Sequence, residues 1–166
     1  MTIPNPNRFE AFAASAGSRH FALLTTRIAM GGLLFWWGLV KGLNTGVGPA
    51  VSDRFYGGLF SIDALLIGFG WLQVAAGIAI ALGLLLRALL PFQLVVNLFV
   101  ALSVAVAFVD PFWLWMGGEK PSPSLHLFYP SLIIATVSWL LIAFRDQDAW
   151  TLDRVLTGNR GAIAAP

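Results

Sequence analysis

Long apolar runs, broken by short charged or glycine-rich stretches, organise this chain from Phe21 to Phe144. A helix needs about 20 mostly apolar residues to cross a bilayer. Four stretches meet that requirement: Phe21–Lys41, Ala64–Leu86, Ala88–Val109 and Leu127–Phe144. Arg87 is the only charge between the second and third, which predicts a tight hairpin. Pro91 is then expected in the first turn of the third, where a missing N–H does little harm. In lipid each backbone polar group must be satisfied within its own segment, so the predicted fold is all-α, an integral membrane four-helix bundle.

Four spans place both termini on one side. That side carries Arg8, Arg19, Arg87, Arg145, Arg154 and Arg160, against Lys41, Arg54 and Lys120 on the other. Basic residues accumulate on the cytoplasmic side of membrane proteins, so the N- and C-termini are expected to be cytoplasmic. The chain divides accordingly into an N-terminal cytoplasmic arm (1–20), a four-transmembrane-helix domain (21–144) and a cytoplasmic interfacial segment (145–166). In that last segment Trp150, Leu152 and Val155 could form the buried edge of a short surface helix. The expected location is the inner (cytoplasmic) membrane of a bacterium, as a multi-pass protein. Of the two outer loops, Gly42–Asp63 reads as a turn and an interfacial segment. Asp110–His126 brings Phe112, Trp113 and Trp115 to a depth that suits aromatic anchoring.

Composition reinforces the membrane reading. The chain's 166 residues are 58% hydrophobic and only 11% charged, with a mean hydropathy of +0.79. A soluble domain carries about 25% charged residues. No basic run suited to nucleic acid occurs. The absence of cysteine excludes disulfides, thiol relays and cysteine-ligated iron–sulfur clusters. Residues 1–10 lack the apolar core of a secretory signal, so the first apolar run is expected to stay as a span. There is no Walker loop, dinucleotide fingerprint, HExxH or GxSxG. His20 and His126 are expected on opposite sides of the membrane, which argues against a bis-histidine haem or a His-rich metal centre.

The candidate chemistry lies in polar residues within the spans, because each needs a partner or a watery cavity. Arg27 either snorkels to the headgroups or faces the bundle, with Gln73 the leading partner. Lys41, at the outer end of the same span, reads as an anchor or as a donor to a ligand. Gln73 and Asn97 suit interhelical hydrogen bonds, each worth about 1 kcal/mol, or a ligand carbonyl. Gly31, Gly32, Gly38, Gly68, Gly70, Gly77 and Gly83 read as packing positions where helices approach closely. Trp36, Trp37, Lys41 and His126 are expected to converge near the outer interface if the first and fourth spans are neighbours. There they could hold a quinone head group; the alternative is an aromatic belt with His126 as a helix cap.

The order of these residues resembles the DoxX/DoxD family of small four-helix membrane proteins. Arg27, Gly31, Gly38 and Lys41 are similar to that family's Arg…Gly…Gly…Lys signature. Gln73, Gly77, Leu82, Gly83 and Arg87 are similar to its Glu…Gly…Leu-Gly…Arg pattern, and Trp150 to Asp153 to its terminal Ser-Leu-Asp. The likeness runs from about Arg27 to Asp153. One departure is Gln73 in place of the usual glutamate, since an amide cannot exchange protons as a carboxyl can. The resemblance implies a membrane subunit of a redox complex that contacts quinone, similar to a thiosulfate:quinone oxidoreductase. Such a subunit holds no cofactor of its own, and its partner carries the electrons. At most, then, the chain is the membrane subunit of a quinone-linked oxidoreductase. The alternatives are a structural accessory subunit of a larger respiratory or photosynthetic assembly and a small transporter. The expected partners are membrane lipids and a protein of the redox or respiratory assembly, with a second copy of the chain left open.

Overall fold

The computed structural model describes residues 7–43, 46–56, 58, 61–103 and 129–158, and these are all-helical. The helices are α1 (Arg8–Ala13), α2 (Ala16–Gly42), α3 (Val47–Tyr56), α4 (Asp63–Leu82), α5 (Leu86–Ser103), α6 (Tyr129–Ala143) and α7 (Leu152–Leu156), with a 3₁₀ turn at Arg145–Gln147. Two of them, α2 and α4, are long and apolar enough to cross a membrane. Helices α5 and α6 are apolar but shorter within the described residues. The continuations expected beyond Ser103 and before Tyr129 lie outside those residues. So do the Asp110–His126 loop, Trp113, Trp115 and His126 itself.

Helix α1 begins at a reciprocal cap. The Asn7 side chain accepts the Glu10 N–H, and the Glu10 carboxylate accepts the Asn7 N–H. Ser15 caps α2 in the simpler way, accepting from Ser18 N–H. Helix α2 therefore starts five residues earlier than hydropathy alone places it.

Helices α2 and α4 form the tightest pair because glycines remove the side chains between them. A Cβ placed on Gly38 would lie 2.7 Å from the Gly70 carbonyl oxygen, and one on Gly77 would lie 2.6 Å from that of Gly31. Gly31 and Gly77, and Gly38 and Gly70, thus meet backbone to backbone along an antiparallel seam. Helix α5 packs mainly on α6. Leu34, Ile80, Leu90, Ile134 and Leu141 are fully buried where the two pairs meet.

Beside its apolar core the bundle buries several polar side chains, and it leaves many large apolar ones outside. Arg27, Gln73, Gln93, Asn97, Ser131 and Ser138 are buried, while Trp36, Trp71, Val95, Phe99, Leu102, Ile133 and Trp139 lie on the outside. A soluble fold rarely leaves so much contiguous apolar surface uncovered.

The α4–α5 hairpin departs from its expected form. Helix α4 stops at Leu82 rather than Leu86, because Gly83 adopts a left-handed conformation (φ 76°) that closes the helix. Leu85 also has positive φ, at 53°, which is uncommon for a non-glycine residue. Helix α5 begins at Leu86, so Pro91 lies beyond its first turn and the Arg87 carbonyl loses its i+4 donor. The early start has a distant cause: the Asp153 carboxylate accepts the N–H groups of Leu85 (3.1 Å) and Leu86 (3.3 Å). In the Gly42–Asp63 loop, read as a turn and an interfacial segment, α3 supplies ten residues of helix. Asp53 accepts a hydrogen bond from the Ser61 hydroxyl at its end.

Candidate functional site

The polar residues of the bundle gather at two levels, and the two do different things. The first is at the end where α2 and α5 begin and α4 and α6 finish. Arg27 is fully buried there. Its Nε lies 2.7 Å from Asp148 Oδ2, an ion-pair contact. That oxygen lies off the N–H direction, so the pair is held by charge rather than by an aligned hydrogen bond. The remaining guanidinium donors reach Asp148 Oδ1 (3.4 Å) and the carbonyls of Ile80 (3.5 Å), Ala81 (3.2 Å) and Trp150. Ile80 and Ala81 belong to the last turn of α4, whose carbonyls carry partial negative charge; that of Ile80 also accepts the Gly83 N–H. A guanidinium suits this place because its fork of donors can meet several oxygens at once.

The segment after α6 is clasped onto the bundle by this arginine and by three further contacts. His20 Nδ1–H donates to the Gln147 carbonyl at 2.7 Å, with the imidazole tilted against Trp150. The Asp153 N–H donates to the Gly83 carbonyl (3.0 Å) while its carboxylate caps α5. Gly83 has no room for a side chain, because a Cβ would meet Thr151 Cα at 2.8 Å and Arg27 Nη1 at 2.5 Å. Burial pushes the Asp148 carboxyl above its ordinary value, and the Arg27 charge pulls against that shift.

The second level is toward the other end of α2. Lys41 Nζ donates to Gln73 Oε1 at 3.0 Å. The same ammonium lies 5.4 Å from the centre of the Trp37 ring and 5.8 Å from that of Phe69. Both faces are within reach of a cation–π attraction. No carboxylate pairs with Lys41 among the described residues. On α5, Asn97 Nδ2 donates to the side chain (2.9 Å) and the backbone carbonyl (2.8 Å) of Gln93, both residues being buried. An apolar slot of about 250 Å³ opens between α2 and α6, lined by Thr26, Met30, Leu33, Ile134 and Val137 among others.

The residues singled out in the sequence are thus sorted into separate places. Lys41, Gln73 and Trp37 come together. Arg27 does not join them: its partner is Asp148, and Gln73 is engaged by Lys41. Trp36, expected beside Trp37 and Lys41, instead points outward with 63% of its surface exposed. The physical reason is that adjacent residues on a helix do not share a face. His126 lies outside the described residues. Phe69, Gln93, Asp148 and Asp153 were not singled out in the sequence as site residues. The usable signal for Asp148 was a pair of acids, Asp146 and Asp148, just past the last span, on the side of an arginine two turns inside the first.

No group of three or more histidine, aspartate or glutamate side chains suited to a metal occurs among the described residues. No protein family, curated protein or solved structure matches the chain.

Proposed function

We propose that the chain is a four-span membrane bundle, with cytoplasmic termini, that serves as a quinone-binding membrane subunit of a redox complex. The membrane part of this reading is supported by the large apolar side chains outside and by the arginine and amides inside. The apolar runs of the sequence that contain α5 and α6, Ala88–Val109 and Leu127–Phe144, are near the length of a span. Cytoplasmic termini follow from the arginines at that end.

The observation that carries the binding role is the Lys41 site. An ammonium beside Gln73, Trp37 and Phe69, without a carboxylate among the described residues, offers N–H donors and flat apolar faces together. A quinone head group matches both, since its carbonyl oxygens accept hydrogen bonds and its ring stacks on aromatics. Gln73 can hydrogen-bond but cannot relay protons, so the role is binding and positioning. The electron-carrying cofactor belongs to a partner protein. The resemblance to DoxX/DoxD proteins narrows the class to a thiosulfate:quinone oxidoreductase-like complex.

The clasp favours a second reading. Arg27, Gly83 and Asp153, all within the resembling motifs, are fully used in holding helices together, as suits a structural accessory subunit without a ligand. Titration of the detergent-purified chain with a short-chain quinone, followed by tryptophan fluorescence, separates the two. Saturable quenching that is weakened by Lys41→Met and by Gln73→Leu is expected for the quinone reading. Absence of saturable quenching in the wild type leaves the accessory reading.

A further inference from the structure

The acidic and basic groups at the clasp end are treated differently by the fold. Asp148 is consumed by Arg27, and the Asp153 carboxylate is consumed by the α5 N-terminus. Arg8, Arg19, Arg87 and Arg145 are instead exposed, and none pairs with a described carboxylate. Arg154 is half-buried and turned back to the Asp146 carbonyl at 2.6 Å. With the internal pair and the capping aspartate removed, five arginines remain against two carboxylates, Glu10 and Asp146. Glu10 is itself held in the α1 cap. Large apolar side chains stand among these arginines: Phe9, Phe12, Leu85, Trp150, Val155 and Leu156 are 49–76% exposed.

We infer that this end of the bundle is a docking surface for anionic phospholipid, with Arg8, Arg19, Arg87 and Arg145 contacting headgroup phosphates. The exposed apolar side chains enter the acyl boundary beneath. Charge complementarity selects this occupant. A zwitterionic leaflet satisfies the apolar residues equally well but leaves the excess positive charge unmatched. A soluble anion matches the charge but not the apolar ring around it. An arginine or lysine close to an anionic membrane surface gains about 1 kcal/mol, or roughly fivefold in local partitioning. The effect is screened by salt over about 10 Å at 0.1 M. The inference rests on the membrane reading above and is independent of the quinone site.

The test uses the full chain reconstituted in phosphatidylcholine bilayers holding trace spin-labelled phosphatidylglycerol or phosphatidylcholine. The motionally restricted fraction of each label measures its association with the protein. Phosphatidylglycerol is expected to be preferred by about fivefold or more at low salt. The preference should fall toward unity at high salt and in the variant with Arg8, Arg19, Arg87 and Arg145 all changed to Gln. Asp146→Asn, which removes an exposed opposing charge, should raise it. Equal association of the two lipids with the wild type, or an unchanged preference in the fourfold variant, overturns the inference and leaves the membrane reading standing. No restricted component with either lipid overturns both.

Discussion

Adding one methyl group should stabilise or destabilise this protein according to which glycine of α4 receives it. Gly68 and Gly77 are both interior to the same helix, so changing either to alanine brings the same gain in helix propensity, about 0.5–1 kcal/mol. At Gly68 a Cβ meets nothing within 4 Å. At Gly77 it lies 2.6 Å from the Gly31 carbonyl oxygen and 2.8 Å from the Phe35 nitrogen. Ordinary contact begins at 3.4 Å, so α2 must recede by about 0.8 Å. The obstructing atoms are backbone and cannot rotate aside. Retreat would also part the Gly38–Gly70 contact along the same seam. Overpacking of this kind costs about 1–3 kcal/mol. Because the propensity gain is common to both variants, their difference isolates the clash: Gly77→Ala should be less stable than Gly68→Ala by about 1–3 kcal/mol. Unfolding in mixed micelles of increasing SDS content, followed by tryptophan fluorescence, measures that difference. Equal midpoints for the two variants would refute the backbone-to-backbone seam.

The clasp yields three further expectations. Arg27→Met strands Asp148 and leaves the carbonyls of Ala81 and Trp150 without the guanidinium donor, at a cost of about 3–5 kcal/mol in the same unfolding assay. Asp148→Asn should be milder, since the amide oxygen can still accept from Arg27, although the buried guanidinium loses its counter-charge. The sign of its pH dependence follows from the raised carboxyl. A folded value above the unfolded one contributes stability at low pH that is lost as pH rises through the folded value. The wild type's advantage over Asp148→Asn should therefore shrink as pH rises above the ordinary carboxylate range, and growth of that advantage would contradict the assignment. Asp153→Ala removes the cap from α5 and should cost about 0.5–2 kcal/mol. Trypsin cleavage after Arg145 and Arg154 should also quicken in that variant, and an unchanged cleavage rate would mean that the cap does not hold the segment.

The helical class was legible because apolar runs of span length leave little choice of backbone, and the glycine seam because small residues recur on matching faces of the first two spans. Boundaries were less legible where distant residues set them. Nothing local to Leu86 marks it as a helix start; the cap is Asp153, far along the chain. Arg27 carried a clear demand for a partner, yet the demand alone pointed to Gln73 rather than to Asp148. That choice depends on the antiparallel depth of α2 against the end of α6. Hydropathy treats Trp36 and Trp37 alike, while helical rotation sends one outward and brings the other to Lys41. The third span's polar face shows the same limit. Asn97 stood out as an intramembrane amide, but its bond to Gln93 follows only from the i, i+4 register of α5.

The most direct test of the account is the quinone content of the protein as purified from its membrane, measured by solvent extraction and mass spectrometry for wild type, Lys41→Met and Asp153→Ala. The account predicts near-stoichiometric quinone in the wild type, its loss in Lys41→Met, and its retention in Asp153→Ala, where only the clasp end is disturbed. Equal quinone in wild type and Lys41→Met, or none in the wild type, would contradict it.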